Sequence, residues 1–446
     1  MAIENNTTSL RGTKQSISLI PKLRFKEFEG DWEEDILKNR INTIDSGWSP
    51  QCEEYPALNN EWGVLKTTSV VWEGFNQNAN KKLPDNLEPR SGLQVIDNDI
   101  LITRAGPTSR VGVAVHVNKI HLKLMLSDKI IRLKVNDITS SFFLTVSLGN
   151  KKAQKQLVSK SSGLAESQTN ISQKILLNTK LSFPNLPEQQ KIASFLASVD
   201  TKIQQLTTKK QLLENYKKGV MQQLFSQQLR FKPDVIANAS EAISNSTNAQ
   251  TSFPDWEEKR LGEILERTST GLNPRKNFVL GIGNNNYVTI KNISKGKIDF
   301  STCEKIDNEA LKLIIKRSDL SKNDIIMSSI GNIGEAYLLK EEPLDWNINE
   351  SVFMLRASLS LLPKYLYYII TNDFSKWYFK NNSTGSSFKS IKLGALKLLP
   401  VKLPNKLEQE KIANYLSAID TKIENVQTQI EKTQAFKKGL LQQMFV

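Results

Sequence analysis

The residue types that do most enzymatic chemistry are scarce in this chain and poorly spaced. Histidine occurs twice in 446 residues, as the near neighbours His116 and His121. A serine nucleophile needs an imidazole base held by a third group, and two adjacent histidines give no such triad. Zinc is held by histidine and cysteine ligands in compact spacings. Cys52 and Cys303 are the only cysteines, and they lie far from each other in sequence. They therefore form neither a ligand set nor a disulfide framework, and they fit a reducing compartment. A phosphate-cradling G-x-x-x-x-G-K-[ST] loop does not occur, and Gly281-Ile282-Gly283 is an isolated fragment. A nuclease-like PD…ExK pattern can be assembled from Pro233-Asp234 and Glu257-Glu258-Lys259. Half of it falls in a stretch that reads as a linker, and the corresponding place upstream holds Asp35 instead of lysine. The residues argue against catalysis and against a bound metal or cofactor.

Positive charge is what the chain has in excess. Sixty Lys and Arg against 46 Asp and Glu give +14 at pH 7. Two repeated helical stretches carry only +3 of this, so most of it sits on the globular parts, a balance that leans toward a phosphate-rich partner. The composition, 39 % hydrophobic and 24 % charged, allows sizeable cores, and the length suggests two to four domains. No run of 18 or more apolar residues is present, so no membrane span is expected. Residues 1–21 are polar and read as a flexible leader. A cytoplasmic location is expected.

The elements that would carry this charge are duplicated. Residues 187–225 and 407–445 align without a gap, with 17 of 39 positions identical, among them Glu188/Glu408, Asp200/Asp420, Lys217/Lys437 and Gly219/Gly439. In the first copy Ile192, Leu196, Val199, Ile203, Leu206, Lys210, Leu213, Lys217, Val220 and Leu224 alternate steps of four and three. Ile412, Leu416, Ile419, Ile423, Val426, Ile430, Thr433, Lys437, Leu440 and Met444 repeat the spacing in the second. Such a sustained heptad seam marks a coiled coil. Acids at the start and Lys-Lys pairs near the end match the helix dipole. At about 1.5 Å per residue each helix would be roughly 58 Å long. The simplest pairing is within the chain and antiparallel, with Lys217 and Lys437 setting the register.

The globular halves repeat more faintly. Trp32-Glu33-Glu34 echoes in Trp256-Glu257-Glu258, and at a constant offset Lys66, Ser69, Phe75, Asn98, Asp99, Ile100 and Gly106 fall on Lys291, Ser294, Phe300, Asn323, Asp324, Ile325 and Gly331. Strands are expected at 64–67, 100–103 and 129–133, and again at 287–290, 325–328 and 351–355. A helical stretch follows in each half, ending at Leu157 and Phe379. Residues 226–252, rich in Ser, Asn and Ala, read as a linker. The expected domains are thus 22–186 and 253–406, with helices at 187–225 and 407–446. The helical frame is repeated closely, whereas the globular heads it carries diverge.

This ordered, duplicated set resembles the specificity subunit of type I DNA restriction–modification enzymes. Leu23-Arg24-Phe25…Phe28-Glu29-Gly30-Asp31-Trp32 and Phe253-Pro254-Asp255-Trp256 are similar to that family's domain openings. Asn98-Asp99-Ile100-Leu101 and Asn323-Asp324-Ile325-Ile326 resemble its mid-domain strand. Gln168-Thr169-Asn170-Ile171-Ser172 followed by Pro187-Glu188-Gln189-Gln190-Lys191-Ile192-Ala193 resembles its exit into the conserved helix. The second copy departs from this with Ser386-Ser387-Phe388-Lys389-Ser390 and with Leu407 in place of Pro187.

The resemblance implies an α+β molecule. Its two target-recognition domains of mixed short strands and helices would be separated by two long helices packed as an antiparallel coiled coil, with internal pseudo-two-fold symmetry. Each domain would read one half of a bipartite, asymmetric double-stranded DNA site, and the helices would set the gap. Two modification (methyltransferase) subunits would dock on the helices, bringing S-adenosylmethionine, and restriction subunits would bring ATP, magnesium, translocation and cleavage. This chain would not itself be the enzyme, since the nearest match to an adenine methyltransferase N-P-P-Y box, Asn284-Asn285-Asn286-Tyr287, lacks the prolines.

On that reading the DNA-contacting candidates in the first domain are Lys66, Thr67 and Thr68, the loop carrying Arg104, Thr108, Ser109 and Arg110, and Ser161, Ser162, Gln168 and Asn170. A glycine-containing loop flanked by arginines suits base-edge reading, because arginine is bidentate to guanine. In the second domain they are Lys291, Asn292, Ser328, Ser329, Asn332, Ser386, Ser387 and Lys389. Its loop has no arginine, so the two domains are expected to prefer different sequences. Trp62, Trp72 and Trp377 read as core or rim aromatics. The competing reading is a coiled-coil adaptor that binds only protein partners.

Overall fold

The computed structural model describes residues 19–161, 169–233, 252–386 and 388–446. Much of the linker and of the N-terminal stretch, together with Ser162, Gln168 and Ser387, lies outside the described residues. Two compact units emerge. One runs through Leu206 and adds Gln429–Val446, and the other is Thr207–Thr428. Each unit therefore holds one head, the opening half of the helix that follows it, and the closing half of the other helix. The heads are α+β, as expected. Among the described residues no helix is long and apolar enough to cross a membrane.

Each head is built on a four-stranded antiparallel sheet whose inner strands carry apolar, β-branched runs. In the first unit the order is Ile41–Ser46, Ile130–Val135, Ile100–Thr103, Ala114–His116. In the second it is Leu265–Thr270, Val352–Ala357, Ile325–Ser328, Ala336–Leu338. All four residues of Ile100–Thr103 and of Ile325–Ser328 are buried, because a strand covered on both faces leaves no polar side. The turn before each is Asn-Asp, with Asn98 at φ 71° and Asn323 at φ 74°, a left-handed conformation that asparagine tolerates. A second, three-stranded sheet lies in each head. It pairs Trp62–Leu65 with Lys123–Met125 and Asn80–Lys82, or Asn285–Val288 with Glu304–Ile306 and Trp346–Ile348. The strands at 64 and 287 end before Lys66 and Thr289, where tight turns begin. Where one helical stretch was expected, two short helices stand in each head. Asn150 and Asn372 cap the second of each pair, accepting from Ala153 N and Ser375 N at 2.8 Å, and a cap is where a helix begins rather than continues.

One duplicated glycine fixes a close crossing of backbones. A Cβ on Gly47 would sit 1.9 Å from Leu126 O, and one on Gly271 would sit 1.7 Å from Ile348 O. Gly47→Ala is therefore expected to destabilise the first unit by about 1–3 kcal/mol or more through overpacking. Gly271→Ala should do the same to the second, read as a lowered denaturation midpoint. Gly219→Ala, with open space around its Cβ position, is the tolerated control.

The repeated helices span Leu186–Phe225 and Lys406–Gln443. The seam residues of both copies are buried or half-buried, Leu196, Leu224 and Leu416 completely. Within the first unit Lys437 Nζ lies 2.5 Å from Asp200, and Gln443 O accepts from Leu23 N beside Arg24, which binds Glu188. Within the second, Lys217 Nζ lies 2.6 Å from Asp420, while Arg230, beyond the first helix, reaches Glu408. In both units numbers rise on one helix as they fall on the other, so the paired segments run antiparallel. Lys217 and Lys437 thus each meet the aspartate that the other copy supplies.

A buried polar cluster ties each helix to its head. Glu188 is fully buried and accepts from Arg24 Nε at 2.8 Å, Arg24 Nη2 at 2.7 Å and Trp32 Nε1 at 3.3 Å. Glu408, equally buried, accepts from Arg230 Nε at 3.1 Å, Arg230 Nη2 at 2.9 Å and Trp256 Nε1 at 2.9 Å. The next residue extends the tie. Gln189 bridges Pro184 O, Ile138 O and Ser140 N, and Gln409 bridges Pro404 O, Ser360 O and Leu362 N. Burying a carboxylate is tolerable only with this degree of pairing.

Candidate nucleic-acid interface

In the first unit the strand Ile100–Thr103 exits into the loop of Arg104, and backbone pairing fixes where that loop lies. Arg104 N donates to Lys129 O and Arg104 O accepts from Ile171 N, both at 2.9 Å. Ala105–Gly106 then pairs antiparallel with Thr169–Asn170. Gly106 sits at φ 149°, a conformation glycine adopts without strain. Thr108 Oγ1 meets Thr169 Oγ1 at 2.6 Å, and Trp72 Nε1 donates to Ser109 O at 3.2 Å. Arg110 Nη2 donates to Thr67 O at 2.8 Å, fastening the turn Thr67–Ser69 against the same loop.

The structure thus brings Lys66, Thr67, Thr68, Arg104, Thr108, Ser109, Arg110 and Asn170 onto one connected surface, although they come from three separate stretches. Thr68, Ser109 and Asn170 are exposed. Arg110 spends one arm on the fold, whereas Arg104 Nε is buried without a partner among the described residues. Ser161 closes the helix Lys151–Lys160 by donating to Val158 O at 2.7 Å.

At the opposite end of the same strand Asp99 and Arg132 stabilise the Asn-Asp turn, Asp99 accepting from Ile96 N at 3.0 Å. Arg132 binds Asp45 through Nε at 3.0 Å and lies 3.5 Å from Asp99. Burial pushes the Asp99 carboxyl above its ordinary range even with the guanidinium beside it. The second unit repeats the device with Arg356 bidentate on Asp324 at 2.8 Å.

The second unit repeats the frame with different side chains. Ser329 O accepts from Ile391 N at 2.9 Å, Gly331 N donates to Lys389 O at 3.1 Å, and Ile330 bridges Ser390. These are the counterparts of the Arg104–Ile171 and Gly106–Thr169 pairings. Lys291, Asn332, Ser386 and Lys389 are exposed around this loop. Asn292, Ser328 and Ser329 lie inside, 4 %, 1 % and 4 % exposed. The Asn292 amide accepts from Thr289 N and Oγ1 and donates to Thr302 Oγ1. Ser328 Oγ donates to Asn332 O, and Ser329 Oγ to Ser351 O at 2.7 Å. These three shape the turns from within.

Two features went unread in the sequence. Phe388 is 78 % exposed beside Lys389, in the loop that pairs with Gly331. Leu229-Arg230-Phe231-Lys232 repeats Leu23-Arg24-Phe25-Lys26 residue for residue. That repeat places the start of the second head inside the stretch read as linker, and comparing the four-residue strings would have found it. Trp72 and Trp377 are 53 % and 59 % exposed, and Trp62 is half-buried.

Comparison with known proteins converges on one family. The model of the type I restriction modification DNA specificity domain matches twice, at residues 60–215 and 254–434. The EcoEI specificity subunit of Escherichia coli is 42 % identical over 165 residues, 36 % of this chain and 28 % of that subunit. The MjaVIII specificity subunit of Methanocaldococcus jannaschii is 25 % identical over 439 residues, 94 % of either chain. The crystal structure of a type I restriction–modification S subunit from M. genitalium shares the fold with TM-score 0.55 at 15 % identity, covering 96 % of this chain and 99 % of that one. With two copies of the domain spanning most of its length, carried on duplicated helices, the chain belongs to the type I restriction–modification DNA specificity family.

Proposed function

We propose that this chain is the sequence-reading, non-catalytic subunit of a type I restriction–modification complex working in the cytoplasm. Each head reads one half of a bipartite, asymmetric duplex site, and the helices set the gap and dock two methyltransferase subunits. S-adenosylmethionine, ATP and magnesium belong to the partner subunits, the restriction subunits included. The observation that carries this is the double occurrence of one specificity domain in one chain, with the frame repeated and the loops different. Deleting the gene from its host and sequencing the methylome tests it. Loss of methylation at a single two-part motif is expected, and an unchanged methylome would overturn the proposal.

Side-chain roles divide on the same logic, since phosphate contacts position and base contacts specify. Arg104→Ala is expected to relax the first half-site alone, by about 1–3 kcal/mol if the guanidinium reads a base edge. Binding to a panel of duplexes with single changes in each half measures it. Weakening that is equal on every sequence would assign Arg104 to a phosphate instead.

A further inference from the structure

The helix Lys151–Lys160 of the first head breaks two rules of helix chemistry. Lys151 and Lys152 occupy its first turn, which carries no acidic residue, although the positive end of the dipole disfavours cations there. Lys155 lies three and four residues on, so the three ammonium groups share one face and repel one another. All three are exposed, and the buried side of the helix is Ala153 and Leu157. Among the described residues none of the three is paired with a carboxylate. Such a local conflict is expected where function compensates it.

The matching helix of the second head, Asp373–Asn381, opens instead on an acid, Asp373, as the dipole favours, and holds its lysines, Lys376 and Lys380, beyond the first turn. Its cap is Asn372 where the first has Asn150, and Ser375 and Phe379 are buried where the first has Ala153 and Leu157. Its outward face holds Asp373, Phe374 and Trp377 in place of the three lysines, with the aromatic rings stacked 5.9 Å apart. The basic face is therefore a property of the first head and not of the frame.

Its position is adjacent to the reading loop. Gln154, within the same helix, donates to Gly112 O at 2.9 Å. Leu157 and Ile171 stand within contact of Gly112 at the end of that loop. We infer that the Lys151, Lys152 and Lys155 face is a phosphate-contacting surface that lays the DNA backbone alongside the first head. The second head has Asp373, Phe374 and Trp377 at the three matching positions, so the two half-sites are held by electrostatically different means there. The inference rests on the DNA-binding reading above.

The test uses the full chain co-purified with its modification subunits. Affinity is measured against salt for a duplex carrying the methylated motif and for a scrambled duplex of equal length. Replacing the three lysines by alanine is expected to lower affinity by the same factor on both duplexes. The slope of log K against log salt should shrink in magnitude by about 2–3, since each phosphate contact contributes about 0.9. The melting temperature should hold or rise, because the conflict in the helix is relieved. The triple arginine variant should restore the slope. Removing the same charge elsewhere, by Lys316→Ala, Lys322→Ala and Lys340→Ala, should leave it unchanged. A parent-like slope in the triple alanine variant overturns the inference, as does a loss confined to the motif duplex. A parent that fails to prefer its motif would instead overturn the DNA-binding reading itself.

Discussion

Glu408→Ala is expected to destabilise the second unit by about 3–5 kcal/mol, the range for removing one partner of a buried ion pair. The carboxylate is fully buried and accepts three hydrogen bonds, two from Arg230 and one from Trp256. Alanine would leave a guanidinium whose side chain is only 23 % exposed with the Phe253 and Pro254 carbonyls and a 3.7 Å approach to Asp255 but without its buried carboxylate. It would also leave a buried indole N–H without an acceptor. The cost should be local. Amide exchange should accelerate in the opening turns of the helix Lys406–Gln443 and in the strand Glu257–Arg260, while the first unit keeps its protection. Glu188→Ala should give the mirror result, with Arg24 only 13 % exposed. Replacing the pair together by apolar residues, Glu408→Leu with Arg230→Met, should recover much of the loss, because no charge is then left buried. A loss below about 1 kcal/mol for Glu408→Ala would mean that water reaches Arg230 and that the cluster does not hold the helix to its head.

These clusters mark where sequence reading stopped. The helices and their seam were legible because a heptad pattern repeats a local spacing, and the duplication fixed its phase twice. Seam residues such as Leu196, Val220, Leu416 and Ile430 are buried accordingly. The central strands at 100–103 and 325–328 were legible for a similar reason, as apolar runs after an Asn-Asp turn. Glu188 and Glu408 gave no such signal, since an acid at a helix start already has a sufficient explanation in the dipole. Their true partners lie far away in sequence. The share of each helix that enters each unit is likewise set by tertiary packing and leaves no periodic trace. Polar loop residues divided worst. In sequence, Ser328 and Ser329 look like Ser386, yet their hydroxyls are spent on backbone carbonyls inside the fold.

Exchange of the first head for that of another family member should replace one half of the methylated motif completely and leave the other half and the methyltransferase activity intact. The prediction follows from a frame that is repeated while the loops on it differ. The structure adds a condition on which exchanges will succeed. The first head is closed in part by the far end of the chain. Phe445 stacks on Phe143 at 5.3 Å between centroids and meets Trp32 edge-on at 6.1 Å, and Leu23 N donates to Gln443 O. The second head is closed the same way, with Phe225 stacked on Tyr365 at 5.7 Å. A donor segment for residues 22–186 must therefore supply an aromatic ring where Phe143 stands and an indole at Trp32. Donors that do so should give active chimeras with one new half-site. Those that do not should fold poorly until residues 440–446 are exchanged with them. Methylome sequencing of each chimera reads both outcomes. An active chimera whose two half-sites change together would show that the heads do not read DNA independently.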